Sequence, residues 1–436
     1  MVNTTTYQQT LDYLFSRLPM FSRIGKAALK PDLTNTLKLC AALGDPQHKF
    51  KSVHIAGTNG KGSTSHSLAA IFQHAGYKTG LYTSPHLIDF RERIRINGAP
   101  VSEQWVVDFV ERNKYLIEEI NPSFFEITVA MAFLAFAEEG VDIAIIETGL
   151  GGRLDSTNII TPVLSVITNI SFDHKDLLGD TLAQIASEKA GIMKHNVPVV
   201  IGEQHDETEK VFFEHSVLNQ SPVYYAESHW DMVRVKQDPR YQYYKAVNKV
   251  KQELIDIQTD LTGNYQQYNL KTVLTAVDVL SFLGFDLSIV EATEALKNVK
   301  KATGLMGRWD WLKEQPVIIC DVAHNTAGLT NVLQQWSQVA ADKKHIVLGF
   351  VKDKEVAEAL ALFPKDATYY FCNAQIQRAL PATDLKEMAA TANLAGESYL
   401  TVKDAVNTAI SNMGESDALL ITGSFFIVGE ALEMEL

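Results

Sequence analysis

The run Val53-His54-Ile55-Ala56-Gly57-Thr58-Asn59-Gly60-Lys61-Gly62-Ser63 decides the fold. Its first four residues read as a strand, and Thr64 to Ala75 carry the spacing of an amphipathic helix. A strand, a glycine turn and a helix in that order make a phosphate cradle. Glycines let backbone N–H groups approach an anion with no Cβ in the way. The helix N-terminus adds about half a positive charge. Lys61 is placed to reach the outer phosphates, and the Ser63 or Thr64 hydroxyl to touch a magnesium ion. The competing reading is a plain glycine turn with a surface lysine, and the strand and helix flanks argue against it. Lys61 is followed by Gly62, not directly by Ser or Thr, which departs from the common phosphate-loop pattern.

On either side of this loop the sequence alternates strands and helices. Residues 7–18 read as a helix, and Asp32 is placed to cap a second one reaching Leu43. Lys78 to Tyr82 reads as a strand. Arg91 to Gly98 alternates charged and apolar residues before an Asn-Gly turn, which predicts a half-exposed hairpin arm. Phe124 to Glu138 is apolar almost all round and predicts a buried helix, with Glu126 near its start either solvated or functional. Val141–Ile146 and Val163–Thr168 are continuous apolar runs, as in central parallel strands. Thr181 to Met193 reads as a helix, and residues 223–260 as a small antiparallel section. A second α/β series follows, with strands at Val317–Cys320, His345–Gly349, Thr368–Cys372 and Ala418–Thr422. The expected organisation is an N-terminal domain over 1–299 with a phosphate-loop parallel sheet and a small β section. A linker over 300–308 and a doubly wound, Rossmann-like C-terminal α/β domain over 309–436 complete it.

Composition narrows the function. The 436 residues suffice for two or three domains. Mean hydropathy is −0.04, that of an ordinary globular chain. A net charge of −13 argues against nonspecific nucleic-acid binding, so anionic substrates must meet a local cluster of Lys and Arg. Cys40, Cys320 and Cys372 have no metal spacing and read as buried thiols. The first residues are polar, without the apolar core of a signal peptide, and no apolar run is long enough to span a bilayer. A cytoplasmic protein is expected.

Several polar groups fall at carboxyl ends of strands, where open α/β sheets place their sites. Ser84, Glu147 and His174 make a reasonable magnesium site beside a nucleotide, although His is an unusual ligand for that ion. Each also has a plain reading: a turn residue before Pro85, a helix cap, a loop histidine. Lys189, late in its helix, reads as a solvated lysine complementing the dipole. Asp321 is equally suited to a ribose hydroxyl or a helix cap, and His324 to a helix terminus or a ligand.

Together the motifs resemble the folylpolyglutamate synthase/dihydrofolate synthase family, relatives of the Mur peptide ligases, over nearly the whole chain. The resemblance rests on Gly57–Ser63, Thr83–Leu87, Arg91–Gly98, Glu147–Asn158, Ser171–Lys194, Met306–Asp310, Asp321–Asn325, Leu348–Glu355 and Thr422–Glu430. Glycine between the loop lysine and serine is the form this superfamily uses. The resemblance implies ATP held between two domains by Gly57, Thr58, Asn59, Gly60, Lys61, Gly62, Ser63, Asn269, Arg308, Asp321 and His324. It implies Mg²⁺, as two ions, through Ser84, Glu147, His174 and a carbamylated Lys189, and a monovalent cation such as K⁺. Lys61, His174 and Lys189 are then the catalytic residues, and Arg23, Phe124, Phe125 and Glu126 border the pterin. Thr326 stands where the family commonly has proline, and Trp309 where leucine or phenylalanine is more usual.

The implied reaction is an ADP-forming amide synthesis through an acyl phosphate, joining L-glutamate to dihydropteroate or to the glutamate tail of reduced folates. A monomer without nucleic-acid or membrane partners is expected. The alternatives are a Mur-type ligase acting on a nucleotide-linked sugar peptide and a non-catalytic ATP-binding regulator.

Overall fold

The computed structural model describes residues 6–18, 32–352 and 356–434. Arg23 lies outside them. The main sheet has eight strands: β1 (Lys51–Ala56), β2 (Thr79–Tyr82), β3 (Ile94–Ile96), β4 (Ala99–Pro100), β5 (Ile143–Glu147), β6 (Leu164–Ile167), β7 (Val199–Ile201) and β8 (Val223–Tyr225). Their order is β4-β3-β2-β5-β1-β6-β7-β8. From β2 to β8 every pairing is parallel, while β3 and β4 add an antiparallel edge. The buried strands β1, β5 and β6 read as continuous apolar runs because helices cover both faces.

Val223–Tyr225 joins this main sheet, so the small section is shorter than the expected 223–260. It is three antiparallel strands, β9 (Trp230–Gln237), β10 (Gln242–Asn248) and β11 (Glu253–Thr259). It is no separate unit. Trp230, Tyr244 and Ile257 share one apolar cluster with Val53 and Ile145 of the main sheet, bridged by Leu270, Val273 and Leu274 of the helix Gln266–Phe282.

A third sheet lies in the C-terminal part, in the order β12-β13-β17-β14-β15-β16. Its strands are β12 (Asp310–Glu314), β13 (Val317–Cys320), β14 (Lys344–Leu348), β15 (Thr368–Cys372), β16 (Gly396–Tyr399) and β17 (Ala418–Thr422). The four expected strands are there. β12 and β16 were not visible because neither is an apolar run: Asp310, Lys313 and Glu314 in one and Glu397 in the other sit at the sheet margins. Residues 299–303 form a short helix before β12, and the Lys300–Asp310 ion pair (2.5 Å) ties the two.

The hairpin arm departs from expectation. Arg93 and Arg95 are only 6% and 8% exposed, so the alternation buries the charged positions as well as Ile94. Gly98 of the turn packs on the helix Val299–Thr303, where an added Cβ would sit 1.9 Å from the Ala302 carbonyl oxygen. The three cysteines are buried and unpaired, as read from their spacing. Among the described residues no helix is long and apolar enough to cross a membrane.

Gly80 in β2 gives a direct test of packing. A Cβ there would lie 2.7 Å from the ring of Phe136, a fully buried residue of the helix Phe124–Glu139. Overpacking of this kind costs about 1–3 kcal/mol. Gly80→Ala is expected to lower the urea midpoint of the transition that reports the main-sheet domain, while Gly76→Ala, with open space around its Cβ, tests the glycine backbone effect alone.

Candidate active site

A cleft of about 740 Å³ runs along the carboxyl ends of the main-sheet strands and is closed on its far side by the third sheet. The glycine loop forms its floor. The helix begins at Lys61, three residues before the expected Thr64, with Gly60 as N-cap at φ +84°. Only glycine fits there without strain, and a Cβ would also meet the Asn269 side-chain oxygen at 2.2 Å. The loop is tied to the end of β6. Thr58 N donates to the Asn169 carbonyl (2.8 Å), Thr168 Oγ1 donates to the Asn59 carbonyl (2.6 Å), and Thr58 Oγ1 exchanges bonds with the Ser171 backbone.

Gly62 explains the unusual loop pattern. Its Cβ would lie 3.2 Å from the Arg308 guanidinium and 3.9 Å from Glu147 Oε2. A cation and a carboxylate converge on this position, and a side chain there would crowd the arginine. Ser63, displaced by one residue, is buried, and its Oγ accepts from Gln266 Nε2 (3.1 Å).

Two lysines point at one carbonyl. Lys61 Nζ donates to the Gly57 and Thr58 oxygens (both 3.1 Å), and Lys189 Nζ donates to the Gly57 oxygen (2.9 Å). Lys189 is 3% exposed, which overturns the reading of a solvated helix-end lysine. Burial, then the charge of Lys61, pushes its ammonium down to about 7. Glu147 ends β5 and is 4% exposed. Burial pushes its carboxyl up to about 7 against the pull of Lys61 and Arg308. Its hydrogen bond comes from Ser84 N at 3.4 Å. A buried carboxylate this poorly satisfied fits a cation, and oxygen donors from Glu147 and Ser84 suit Mg²⁺. Among the described residues no three His, Cys, Asp or Glu side chains gather as a complete metal cage, in keeping with an ion that takes other ligands from water and phosphate.

His174 sits at φ +49° as N-cap of the short helix Lys175–Leu178. Burial lowers its pKa more than neighbouring Asp173 raises it, which favours the neutral imidazole, the form that binds metals. Asp173 lies between His174 Nε2 (3.7 Å) and His324 Nε2 (3.6 Å) and accepts from Asn325 Nδ2 (3.0 Å). Burial opposes its charge, yet these partners hold its carboxyl well below the usual range. His324 moves the other way: Asp173 outweighs burial and raises its imidazole.

Asp321, offered as a ribose ligand or a helix cap, serves the junction. Its Oδ2 accepts from Tyr265 OH (2.6 Å) and Trp309 N (2.8 Å), and its Oδ1 from Ala323 N (2.9 Å). The cap is Asn325, whose Oδ1 accepts from Gly328 N (2.9 Å). Thr326 is therefore the first helical residue, the place where proline is tolerated because that N–H has no helical partner. With threonine at this position the helix starts on the Asn325 cap. Trp309 is fully buried at φ +53°.

At the β2–β5 end the wall is aromatic. Phe125 lies over Gly149, whose Cβ would meet its ring at 2.4 Å. Phe124 packs against Phe15 and Phe90. Glu126 is not solvated. Its Oε2 accepts from Ser123 N (2.6 Å) in a capping box, and its buried Oε1 has no partner.

Sequence reasoning missed four residues here. Arg93 donates from Nε to His86 Nδ1 (2.8 Å), crosses the Phe124 ring at 5.3 Å and lines the cleft. Asp155 anchors the loop after β5 through Gly149 N and Leu150 N (both 2.8 Å). Asp173 and Asn325 join the two sheets. The capping-type spacings around Asp155 and Asn325 were available signals, whereas the burial of Arg93 was not.

Residues 55–277 match the family model of the Mur ligase middle domain, and residues 307–425 that of the Mur ligase glutamate ligase domain. The chain is 32% identical over 436 residues to the dihydrofolate synthase/folylpolyglutamate synthase of Bacillus subtilis, with 98% of each covered. It superposes on the E. coli FolC structure in complex with DHPP and ADP at TM-score 0.84 and 27% identity, covering 98% of this chain and 97% of that one. A Yersinia pestis bifunctional folylpolyglutamate synthase/dihydrofolate synthase with Mn, AMPPNP and L-glutamate bound is similar at TM-score 0.82 and 28% identity, with 99% of each covered. With matches to both Mur ligase domains and a full-length relative above 30% identity, the chain belongs to the dihydrofolate synthase/folylpolyglutamate synthase family of Mur ligases.

Proposed function

We propose that this chain is an ATP-dependent, ADP-forming ligase that joins L-glutamate by an amide bond to dihydropteroate and to the glutamate tail of reduced folates. The observation that carries the reading is the gathering of Lys61 and Arg308 about the buried Glu147, with Lys189 sharing the Gly57 carbonyl oxygen with Lys61 beside the glycine loop, in a cleft walled by both sheets. The full-length likeness to the B. subtilis relative disfavours a ligase for nucleotide-linked sugar peptides and a non-catalytic regulator.

In this reading Gly57–Ser63 hold the triphosphate with backbone N–H groups, and Lys61 swings from its carbonyl partners to the β- and γ-phosphates. The acceptor carboxylate attacks the γ-phosphorus, the bond to the β-phosphate oxygen breaks, and ADP leaves. The glutamate amine then attacks the acyl carbon and inorganic phosphate departs. The protein orients the groups and neutralises charge, since phosphoryl transfer needs little covalent help. Ser84, Glu147 and His174 would hold one divalent ion, and His174 with a carbamylated Lys189 a second; such ions supply charge neutralisation on the phosphates. K⁺ and a monomeric state belong to the same proposal. Arg308, Asn269, Asp321 and His324 border the nucleotide, Asp321 through the junction it organises. Phe124, Phe125 and Glu126 face the pterin, and domain boundaries at 299 and 309 allow the cleft to open.

Lys61→Ala is expected to cut glutamate-dependent ADP formation by about 10²–10³-fold, the scale of losing one charge-stabilising donor; turnover near the wild-type rate removes Lys61 from the mechanism.

Lys189 tests the carbamate. Only the neutral amine captures CO₂, and with a pKa of about 7 the neutral fraction grows as pH rises from 6 to 8. At depleted bicarbonate, activity should fall more steeply below pH 7 than with bicarbonate present. Lys189→Ala should be inactive and partly recover with short carboxylates, while full activity without either rejects the modification.

Assays with dihydropteroate and, separately, tetrahydrofolate should both give glutamate-dependent ADP; silence with dihydropteroate leaves a tail-extending enzyme only.

A further inference from the structure

We propose that Glu203 reads the 6-amino edge of the purine and so sets a preference for adenine over 6-oxo nucleotides. The inference rests on the reading of the cleft as a nucleotide site and adds a specificity residue to it. The order of the strands supplies the direction. Along the cleft come Ser84 after β2, Glu147 at the end of β5, the glycine loop after β1, Asn169 after β6 and Glu203 after β7. The aromatic wall of Phe124 and Phe125 stands at the β2–β5 end. A nucleoside whose phosphates lie on the loop, with the acceptor at that wall, must extend the opposite way, toward β6 and β7.

Glu203 is placed to meet it. Gly202 just before it has no room for a Cβ, which would lie 2.2 Å from the Thr168 carbonyl oxygen and 2.5 Å from Thr272 Oγ1. The end of β7 is thus pressed against the helix Gln266–Phe282, and Glu203 lines the cleft together with Tyr268 and Asn269 of that helix. Asn169 Nδ2 donates to Glu203 Oε1 (3.0 Å). The Asn169 Oδ1 accepts from Ser171 Oγ (3.1 Å) and Asn59 N (3.4 Å), which fixes the amide the right way round. Among the described residues Oε2 of Glu203 has no protein donor, and no cation stands within ion-pair distance of the carboxylate. Burial pushes its carboxyl up to about 7, as for an anion short of donors.

Ionised, as it is at pH 8 where the measurements below are made, the Glu203 carboxylate accepts and does not donate. The 6-amino group of adenine offers it two N–H donors. Hypoxanthine and guanine present a carbonyl at the same atom, acceptor against acceptor, and a site built for a substrate N–H rejects the analogue lacking it. The simpler role is that Glu203 only steadies Asn169 under the loop. Glu203→Gln separates the two, because glutamine keeps the size, can still accept from Asn169, and can donate to a 6-oxo group.

Binding of ADP and IDP by calorimetry, and kcat/KM with ATP and ITP, are measured for the wild-type protein and for E203Q. The wild-type protein should favour the adenine nucleotide by at least about tenfold, and E203Q should lower that ratio about tenfold or more. Equal wild-type affinity for ADP and IDP overturns the proposal whatever becomes of the variant. A parallel loss for both nucleotides in E203Q, with the ratio unchanged, also overturns it and leaves the steadying role. Failure of the wild-type protein to bind either nucleotide defeats the nucleotide reading of the cleft itself, and this proposal with it.

Discussion

There is no room for a side chain on the phosphate loop at Gly57 or Gly60. A Cβ on the first would sit 1.9 Å from Thr168 Oγ1, and on the second 2.2 Å from Asn269 Oδ1. The loop is clamped between the end of β6 and the N-terminal turn of the helix Gln266–Phe282, and this close approach orders most of the site. The Thr168 hydroxyl holds the Asn59 carbonyl. Asn59 exchanges side-chain bonds with Asn325 (3.0 and 3.4 Å), which caps the first helix of the third sheet's layer. One backbone constraint thus fixes the floor of the cleft and carries its position across to the opposite wall.

The clamp also concentrates charge. Lys61 and Lys189 share the Gly57 carbonyl oxygen, and Arg308 lies across Gly62. Lys61 and Lys189 repel each other across that shared oxygen, and burial together with the charge of Lys61 lowers the Lys189 ammonium. In water-excluded surroundings such a cluster is stable only while something satisfies it. A chain of net charge −13 that gathers its cations here presents a local field suited to a polyanion, with the acidic remainder disfavouring nonspecific nucleic-acid contact.

Much of this was legible in the sequence, for identifiable reasons. Parallel strands buried on both faces appear as unbroken apolar runs, so β1, β5, β6, β13, β14, β15 and β17 could be read directly. Polar residues end these runs, so Glu147, His174 and Asp321 could be placed at or just beyond strand ends, as could Ser84, which precedes Pro85 after the run Lys78–Tyr82. Edge strands β12 and β16 could not, because half-exposed positions tolerate charge and erase the pattern. Burial of charged groups was the other blind spot. Lys189 looked solvated and Arg93 looked half exposed, since a single helix or hairpin does not reveal what packs on it. Nor could Asp321 be assigned from its strand end alone: its partner Tyr265 is 56 residues away.

That last contact bears on how the two walls of the cleft move together. Asp321 binds Tyr265 from the helix carrying Asn269 and Trp309 from the start of the third sheet's domain. Thr262 and Gln335 add a second link, with Gln335 Nε2 donating to the Thr262 carbonyl (2.8 Å) and Asn264 N donating to Gln335 Oε1 (2.6 Å). The junction is therefore held beside Asn269 at one side of the cleft, while the Asn59–Asn325 pair spans it nearer the loop. A swing that opened the cleft would break the Asn59–Asn325 amide contacts first and keep the Asp321 hub, because the hub joins three donors on one buried carboxylate. On the proposed reaction, closure at that rim would shield a hydrolysable acyl phosphate, with the part-buried Asn59–Asn325 pair spanning the cleft beside the glycine loop.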